Sequence, residues 1–326
     1  PLKLESGYTF GQIKIAYHTY GKMNADGLNV VWICHALTAS SDAADWWSGL
    51  VGPGKLIDTN RYYVVCANMI GSSYGSTNPS SINPKTSKPY NDSFPLVSIR
   101  DMVMSFRMLA DYLNVHNIHC CIGGSTGGMQ VVEWAIIDPQ RFRYAAMLAC
   151  DARFSPWGIA FNESQRMALL SDKTIYSLAP NSGAAGLAAA RSIAMLSYRH
   201  YDIYDHAQLD EDPSLDNFKA SSYQRYQGDK LRNRFEPWSY YFLTKAMDSH
   251  NVGRGRKNIS VALSEIKAQS FVVGIDRDVL FPFLEQEYLC AHISDAKLFQ
   301  INSKFGHDAF LIEYDQLNEI LKPIFR

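Results

Sequence analysis

Short, continuously apolar runs recur along the chain at residues 30–34, 63–67, 119–122, 144–149, 271–275 and 297–301. Apolar residues without alternation are the pattern of strands covered on both faces, as in a parallel sheet held between helices. Between these runs stand stretches with apolar residues at helical spacing. The stretch 99–115 follows Ser98, a residue able to cap a helix. The stretch 129–137 ends at Asp138-Pro139, where the proline disfavours helical geometry in the residue before it. The βαβα order predicts an α/β fold, an open, doubly wound and mostly parallel sheet with functional loops at the carboxyl ends of its strands.

From about residue 157 to 257 the pattern changes to helical stretches, at 162–170, 184–198 and 238–248, with little that reads as a strand. The alternation of strand and helix resumes at Phe271. These observations predict a discontinuous catalytic domain of residues 1–156 and 260–326, interrupted by a helical lid at 157–259. The Pro-, Ser- and Asn-rich segment 71–92 reads as a long loop, a feature that in compact domains is often functional.

Composition narrows the class. The chain has 326 residues, 47% of them hydrophobic and 19% charged, which excludes extended disorder and supports a large core. Thirty-one basic against 32 acidic residues give a net charge of −1, so there is no electrostatic footprint for nucleic acid or for a membrane surface. No apolar run reaches the roughly 18–20 residues needed to span a bilayer, and the first residues lack the apolar core of a signal peptide. A cytoplasmic protein acting on small molecules is expected. The six cysteines are scattered. Cys120-Cys121, the close pair, would point to opposite faces of a strand, so neither a disulfide framework nor a metal site is expected.

The sharpest local signal is Gly123-Gly124-Ser125-Thr126-Gly127, a Gly-x-Ser-x-Gly sequence between an apolar run and a helical stretch. In such a strand–turn–helix elbow the serine is held in a strained conformation, and the glycines make room for strand and helix to approach. A serine hydroxyl is a weak nucleophile until a base takes its proton, and the partners should follow in the order acid, then histidine. After the run 271–275 come Asp276 and Asp278, either of which could orient an imidazole. After the run 297–301 comes His307. An oxyanion hole needs two N–H donors, one from Thr126, directly after the nucleophile, and one from the loop Cys34-His35-Ala36-Leu37-Thr38. His35 reads as part of that turn and not as the base.

Longer motifs then become recognisable. They include His35-Ala36-Leu37-Thr38, Ser80-Ser81-Ile82-Asn83-Pro84, Ile99-Arg100-Asp101-Met102-Val103, Gly123-Gly124-Ser125 with Gly127-Gly128-Met129-Gln130, and Tyr198-Arg199. Further on come Tyr223-Gln224-Arg225-Tyr226-Gln227-Gly228-Asp229-Lys230, Ser239-Tyr240, Asp278-Val279-Leu280-Phe281-Pro282 and Gly306-His307-Asp308. With these, nearly the whole chain resembles the homoserine O-acetyltransferase family of α/β-hydrolase-fold acyltransferases. The motifs around Gly228 and Arg199 are more specific than the elbow, which many hydrolases share.

The resemblance implies a catalytic triad of Ser125, Asp278 and His307, and so selects Asp278 over Asp276. It implies Leu37 and Thr126 as oxyanion donors, although the family usually carries Met where this chain has Thr126. Arg199 matches the residue that holds the substrate α-carboxylate, Asp308 the acid that meets its α-ammonium, and Tyr240 a tyrosine near the same pocket. No tightly bound cofactor is implied. Acetyl-CoA is the expected co-substrate, L-homoserine the acceptor, methionine biosynthesis the setting, and a homodimer formed through the lid the expected assembly. Competing readings are acylation of serine, use of succinyl-CoA, a carboxylester hydrolase and a hydrolase fold serving only as a binding module.

Overall fold

The computed structural model describes residues 1–212 and 215–325. Seven strands form the central sheet: β1 (Tyr17–Tyr20), β2 (Val30–Cys34), β3 (Tyr63–Ala67), β4 (Ile118–Gly124), β5 (Phe142–Leu148), β6 (Gln269–Ile275) and β7 (Ala296–Ile301). Their spatial order is β7-β6-β5-β4-β2-β3-β1, and every pairing is parallel except that of β1 with β3. All six strands expected from apolar runs are present. The edge strand β1 adds a seventh; its side chains are mostly exposed, so it has no apolar pattern by which to be seen.

Side chains of each buried strand divide between two layers. Val30, Trp32 and Cys34 of β2 enter one core, while Val31 and Ile33 enter the other. Cys120 and Cys121 separate in the same way, and all six cysteines are free. The first core is anchored by an aromatic cluster in which the Trp32 and Trp134 rings meet edge-on at 5.0 Å, a geometry worth about 0.5–1.5 kcal/mol beyond the area it buries.

The helices that flank the sheet start and stop where local chemistry dictates. Helix α1 (Ile99–Tyr112) opens with a capping box, in which the Ser98 hydroxyl accepts from the Asp101 amide and the Asp101 carboxylate accepts from the Ser98 amide. Helix α2 (Thr126–Ile137) ends at Asp138, ahead of Pro139. Between β5 and β6 lies a run of helices: α3 (Pro156–Ser171), α4 (Ala184–Tyr198), α5 (Tyr201–Ala207), α6 (Lys219–Arg232), α7 (Pro237–Asp248) and α8 (Ile259–Ser264). Within it α4 packs on α3 and α6, whereas α8 packs on α2 and on α9 (Phe283–His292). The chain closes with α10 (Tyr314–Leu321). The segment 71–92 is largely irregular, with one short antiparallel pair between Ile82–Asn83 and Lys88–Pro89.

Where the chain returns from the insertion it is tied to the rest by charge. Glu133 on α2, its side chain 2% exposed, takes Arg100 at 2.6 Å and Arg256 at 2.7 Å. Glu5 takes Arg100 at 2.7 Å and Arg254 at 2.6 Å. No helix among the described residues is long and apolar enough to cross a membrane.

Candidate active site

Three loops at the carboxyl ends of β4, β6 and β7 bring the expected residues to one end of the sheet. At the end of β4 the chain turns into α2 through Ser125, whose φ of 57° lies in the left-handed region. That strain, of order 1–3 kcal/mol, is held by the packing around it. A Cβ on Gly127 would stand 2.1 Å from the Cys34 carbonyl oxygen, and one on Gly123 2.7 Å from the same atom. The glycines thus let the elbow press against the end of β2. The Ser125 amide donates to Leu148 at 2.9 Å, which fixes the elbow to β5.

After β6 the two carboxylates part. Asp278 accepts the Leu280 and Phe281 amides through Oδ1, each at 2.8 Å, and its Oδ2 lies 2.6 Å from His307 Nδ1. Asp276 is turned elsewhere and accepts the Ser303 amide at 3.0 Å. The sequence left both open; the geometry pairs Asp278 with the imidazole, as the resemblance implied. His307 is almost fully buried between Phe281, stacked at 5.1 Å, and Phe310, edge-on at 5.5 Å. Its Nε2 makes no hydrogen bond among the described residues.

Burial works against a charged imidazole, but the Asp278 carboxylate, through charge and hydrogen bond, and Asp308 outweigh it. The His307 pKa is therefore raised above its ordinary value. A base must be neutral to accept a proton, so labelling of Ser125 by a fluorophosphonate is expected to speed up with pH through an apparent pKa above the ordinary imidazole value of about 6.5. The labelling rate across pH measures it, and a midpoint below about 6.5 would contradict the dominance of the carboxylate.

Ser125 and His307 line a cavity of about 580 Å³ together with Leu37, Thr38, Tyr74, Arg191, Tyr198, Lys230, Arg234 and Asp308. A larger and more open hollow of about 930 Å³ near His250 and Arg254 contains none of the three triad candidates. Leu37 thus reaches the cavity. Thr126 is wholly buried as the first residue of α2, where helix amides have no acceptor within the helix. His35 is buried and spans the turn, with Nδ1 2.8 Å from the Ala36 carbonyl and Nε2 accepting the Met69 amide at 3.3 Å. Burial lowers its pKa to about 4. It is a neutral structural histidine, as the sequence suggested.

The three residues matched to substrate binding are placed differently from one another. Asp308 lines the cavity. Arg199 does not; its Nε lies 2.9 Å from Asp308 Oδ2 without hydrogen-bond direction, and its guanidinium covers the Phe305 ring at 5.7 Å. Burial raises the Asp308 pKa, an effect that Arg199 and Arg191 offset only in part. Tyr240 is fully buried behind the wall and donates to Gln165 Oε1 at 2.5 Å. Sequence reasoning missed the cationic lining made by Arg191 and Arg234. No cluster of three or more His, Cys, Asp or Glu able to hold a metal occurs among the described residues.

Residues 29–314 match the alpha/beta hydrolase fold family. Among solved structures, homoserine O-acetyltransferase from Bacillus anthracis superposes with a TM-score of 0.92 at 22% identity, covering 99% of this chain and 95% of that one. Esterase E22 superposes with a TM-score of 0.89 at 22% identity, covering 99% and 97%. At such identities these likenesses speak for the fold, which transferases and esterases share. Sequence is more discriminating: homoserine O-acetyltransferase of Cyclobacterium marinum is 46% identical over 324 residues, 99% of this chain and 92% of its own. With the elbow, the paired Asp278 and His307, and this full-length similarity together, the chain belongs to the homoserine O-acetyltransferase family of the alpha/beta hydrolase fold.

Proposed function

We propose that this protein transfers an acetyl group from acetyl-CoA to the hydroxyl of L-homoserine, through a Ser125 acyl-enzyme, in methionine biosynthesis. The observation that carries the reading is the buried Asp278–His307 pair, which opens into the same cavity as Ser125 and Asp308. His307 Nε2 takes the Ser125 proton as Oγ attacks the thioester carbonyl. The amides of Leu37 and Thr126 receive the oxyanion. The C–S bond then breaks, and the thiolate leaves with the proton held by His307. In the second half, His307 removes the proton of the homoserine hydroxyl, whose oxygen attacks the acyl carbon, and Ser125 departs with that proton.

Water is the competing nucleophile, and what separates a transferase from an esterase on this scaffold is the holding of the acceptor and the exclusion of water. Asp308 is the proposed partner of the α-ammonium and Arg199 of the α-carboxylate, with Tyr240 supporting the wall. The helices between β5 and β6 serve as the lid. Exposed apolar side chains on that insertion, among them Leu178, Leu196 and Tyr201, support a homodimer built through it, and the reading places the protein in the cytoplasm.

The test is a matrix of acetyl-, propionyl- and succinyl-CoA against L-homoserine and L-serine, followed by thiol release. Fastest turnover with acetyl-CoA and strict dependence on homoserine are expected. Thiol release that ignores the acceptor would favour an ester hydrolase, and a preference for succinyl-CoA or serine would move the substrate assignment within the transferases.

A further inference from the structure

Leu37 lines the cavity that holds Ser125, and its N–H has no hydrogen-bond acceptor among the described residues. An amide cannot turn alone. The Ala36 carbonyl and the Leu37 N–H belong to one planar peptide group, and in the trans form they point in opposite directions. No peptide bond among the described residues is cis, so whatever holds the Ala36 carbonyl also aims the Leu37 N–H. The Ala39 amide donates to that carbonyl oxygen at 3.1 Å, and Nδ1 of His35 lies 2.8 Å from it. A carbonyl only accepts, so Nδ1 carries the proton. On the opposite edge of the ring, Nε2 accepts the Met69 amide at 3.3 Å and is therefore bare. The two contacts select one neutral tautomer of a wholly buried ring, and burial keeps it neutral by lowering its pKa to about 4. Gln130 ties this turn to the start of α2, its Nε2 donating to the Thr126 carbonyl at 3.1 Å and to the His35 carbonyl at 3.5 Å.

We infer that His35 is a positioning residue for the oxyanion hole: its Nδ1–H, by holding the Ala36 carbonyl, directs the Leu37 N–H at the oxyanion that forms on the acyl group at Ser125. The inference rests on the proposed Ser125 acyl-enzyme and extends it to a residue that touches neither nucleophile nor substrate. Preorganised donors stabilise a transition state because they need not reorient as charge develops. Both half-reactions pass through a tetrahedral oxyanion, so both depend on the direction of this one N–H. A turn that left the Ala36 carbonyl free to swing would lose that advantage in each.

The two edges of the ring can be replaced separately. His35→Asn sets an amide nitrogen where Nδ1 stands and keeps the donor to Ala36, but leaves the Met69 amide unmet. His35→Gln reaches the Nε2 position with an oxygen for Met69 and gives up the donor at Nδ1. Acetyl-CoA with L-homoserine and p-nitrophenyl acetate serve as acyl donors, and denaturant unfolding is measured on each variant. His35→Gln should lower kcat with both donors roughly ten- to a hundredfold, short of the 10²–10³ for deleting an oxyanion donor outright. KM should change little, since the lost interaction belongs to the transition state. His35→Asn should recover most of kcat although it is the less stable of the two. A kcat that follows stability, with the asparagine variant the poorer enzyme, would overturn the inference and leave His35 purely structural. In wild type, nitrogen NMR of the imidazole should show Nδ1 protonated and Nε2 bare from about pH 5 to 8; the opposite tautomer would overturn the inference whether or not the variants fold. If acetyl-CoA is not turned over while the same ranking holds with p-nitrophenyl acetate, the acyl-CoA reading fails and the inference stands. Wild type inert toward both donors would remove the oxyanion, and the role of His35 with it.

Discussion

Ser125→Ala is expected to lower kcat by on the order of 10⁴-fold or more, the scale seen when a triad nucleophile is removed. The fold should persist. Ser125 sits at the elbow with its amide bonded to Leu148, a backbone contact that alanine keeps, and alanine is no worse suited than serine to the positive φ. The decisive measurement is intact-protein mass spectrometry after incubation with acetyl-CoA and no acceptor. Wild type should gain one acetyl group that maps to Ser125, and the variant none. An acetyl group found on a cysteine would remove Ser125 from the mechanism. The buried cysteines argue against that outcome on physical grounds, because burial pushes the Cys66, Cys121 and Cys150 thiols well up and so keeps them from ionising.

Asp278→Asn should cost nearly as much, about 10⁴-fold in kcat, because an amide in place of the carboxylate holds the imidazole in the wrong tautomer. The rising limb of the pH–rate profile should also move down, since Asp278 is the strongest influence raising the His307 pKa. Asp276→Asn provides the contrast. Its carboxylate accepts the Ser303 amide, a bond that the Asn carbonyl oxygen can also accept, so the change should cost about 1 kcal/mol of stability or less, read by denaturant unfolding, with kcat little changed. The reverse ranking would mean that the acid of the triad stands two residues earlier than the hydrogen bonds indicate.

Those two aspartates mark where the sequence stops being informative. Both follow β6 in the same loop, so spacing could not separate them. The choice depends on which carboxylate is pinned by the Leu280 and Phe281 amides with its second oxygen turned to His307. The buried strands were legible because burial on both faces writes an uninterrupted apolar run. The α4 helix was legible to the residue for a similar reason, as its apolar pattern covers its whole length. Helix α6 was recognisable only as a motif, since most of its side chains are polar or exposed and give no apolar stripe. In the site, the elbow and His307 could be read from local sequence. The engagement of Arg199 with Asp308 could not, for it joins residues 109 positions apart (308 minus 199) on separate elements. Arg191 announced itself only as a charge breaking an apolar helix. That is a usable signal, because a guanidinium amid alanines needs either water or a ligand.

The placement of the insertion sets the order in which the catalytic machinery is completed as the chain leaves the ribosome. β5 ends at Leu148 and its parallel neighbour β6 begins at Gln269, so residues 149–268 must be made before that ladder can close. Synthesis at roughly 5–20 residues per second leaves the far edge of β5 without its partner for about 6–24 s. Its apolar residues Ala145, Ala146 and Met147 are then a template for pairing with another nascent chain. The helices of the insertion, whose contacts are largely local, have that interval in which to condense beside the waiting edge. Ser125, the proposed nucleophile, is made well before its proposed base. His307, near the end of the chain, arrives only after the cavity around Ser125 has walls.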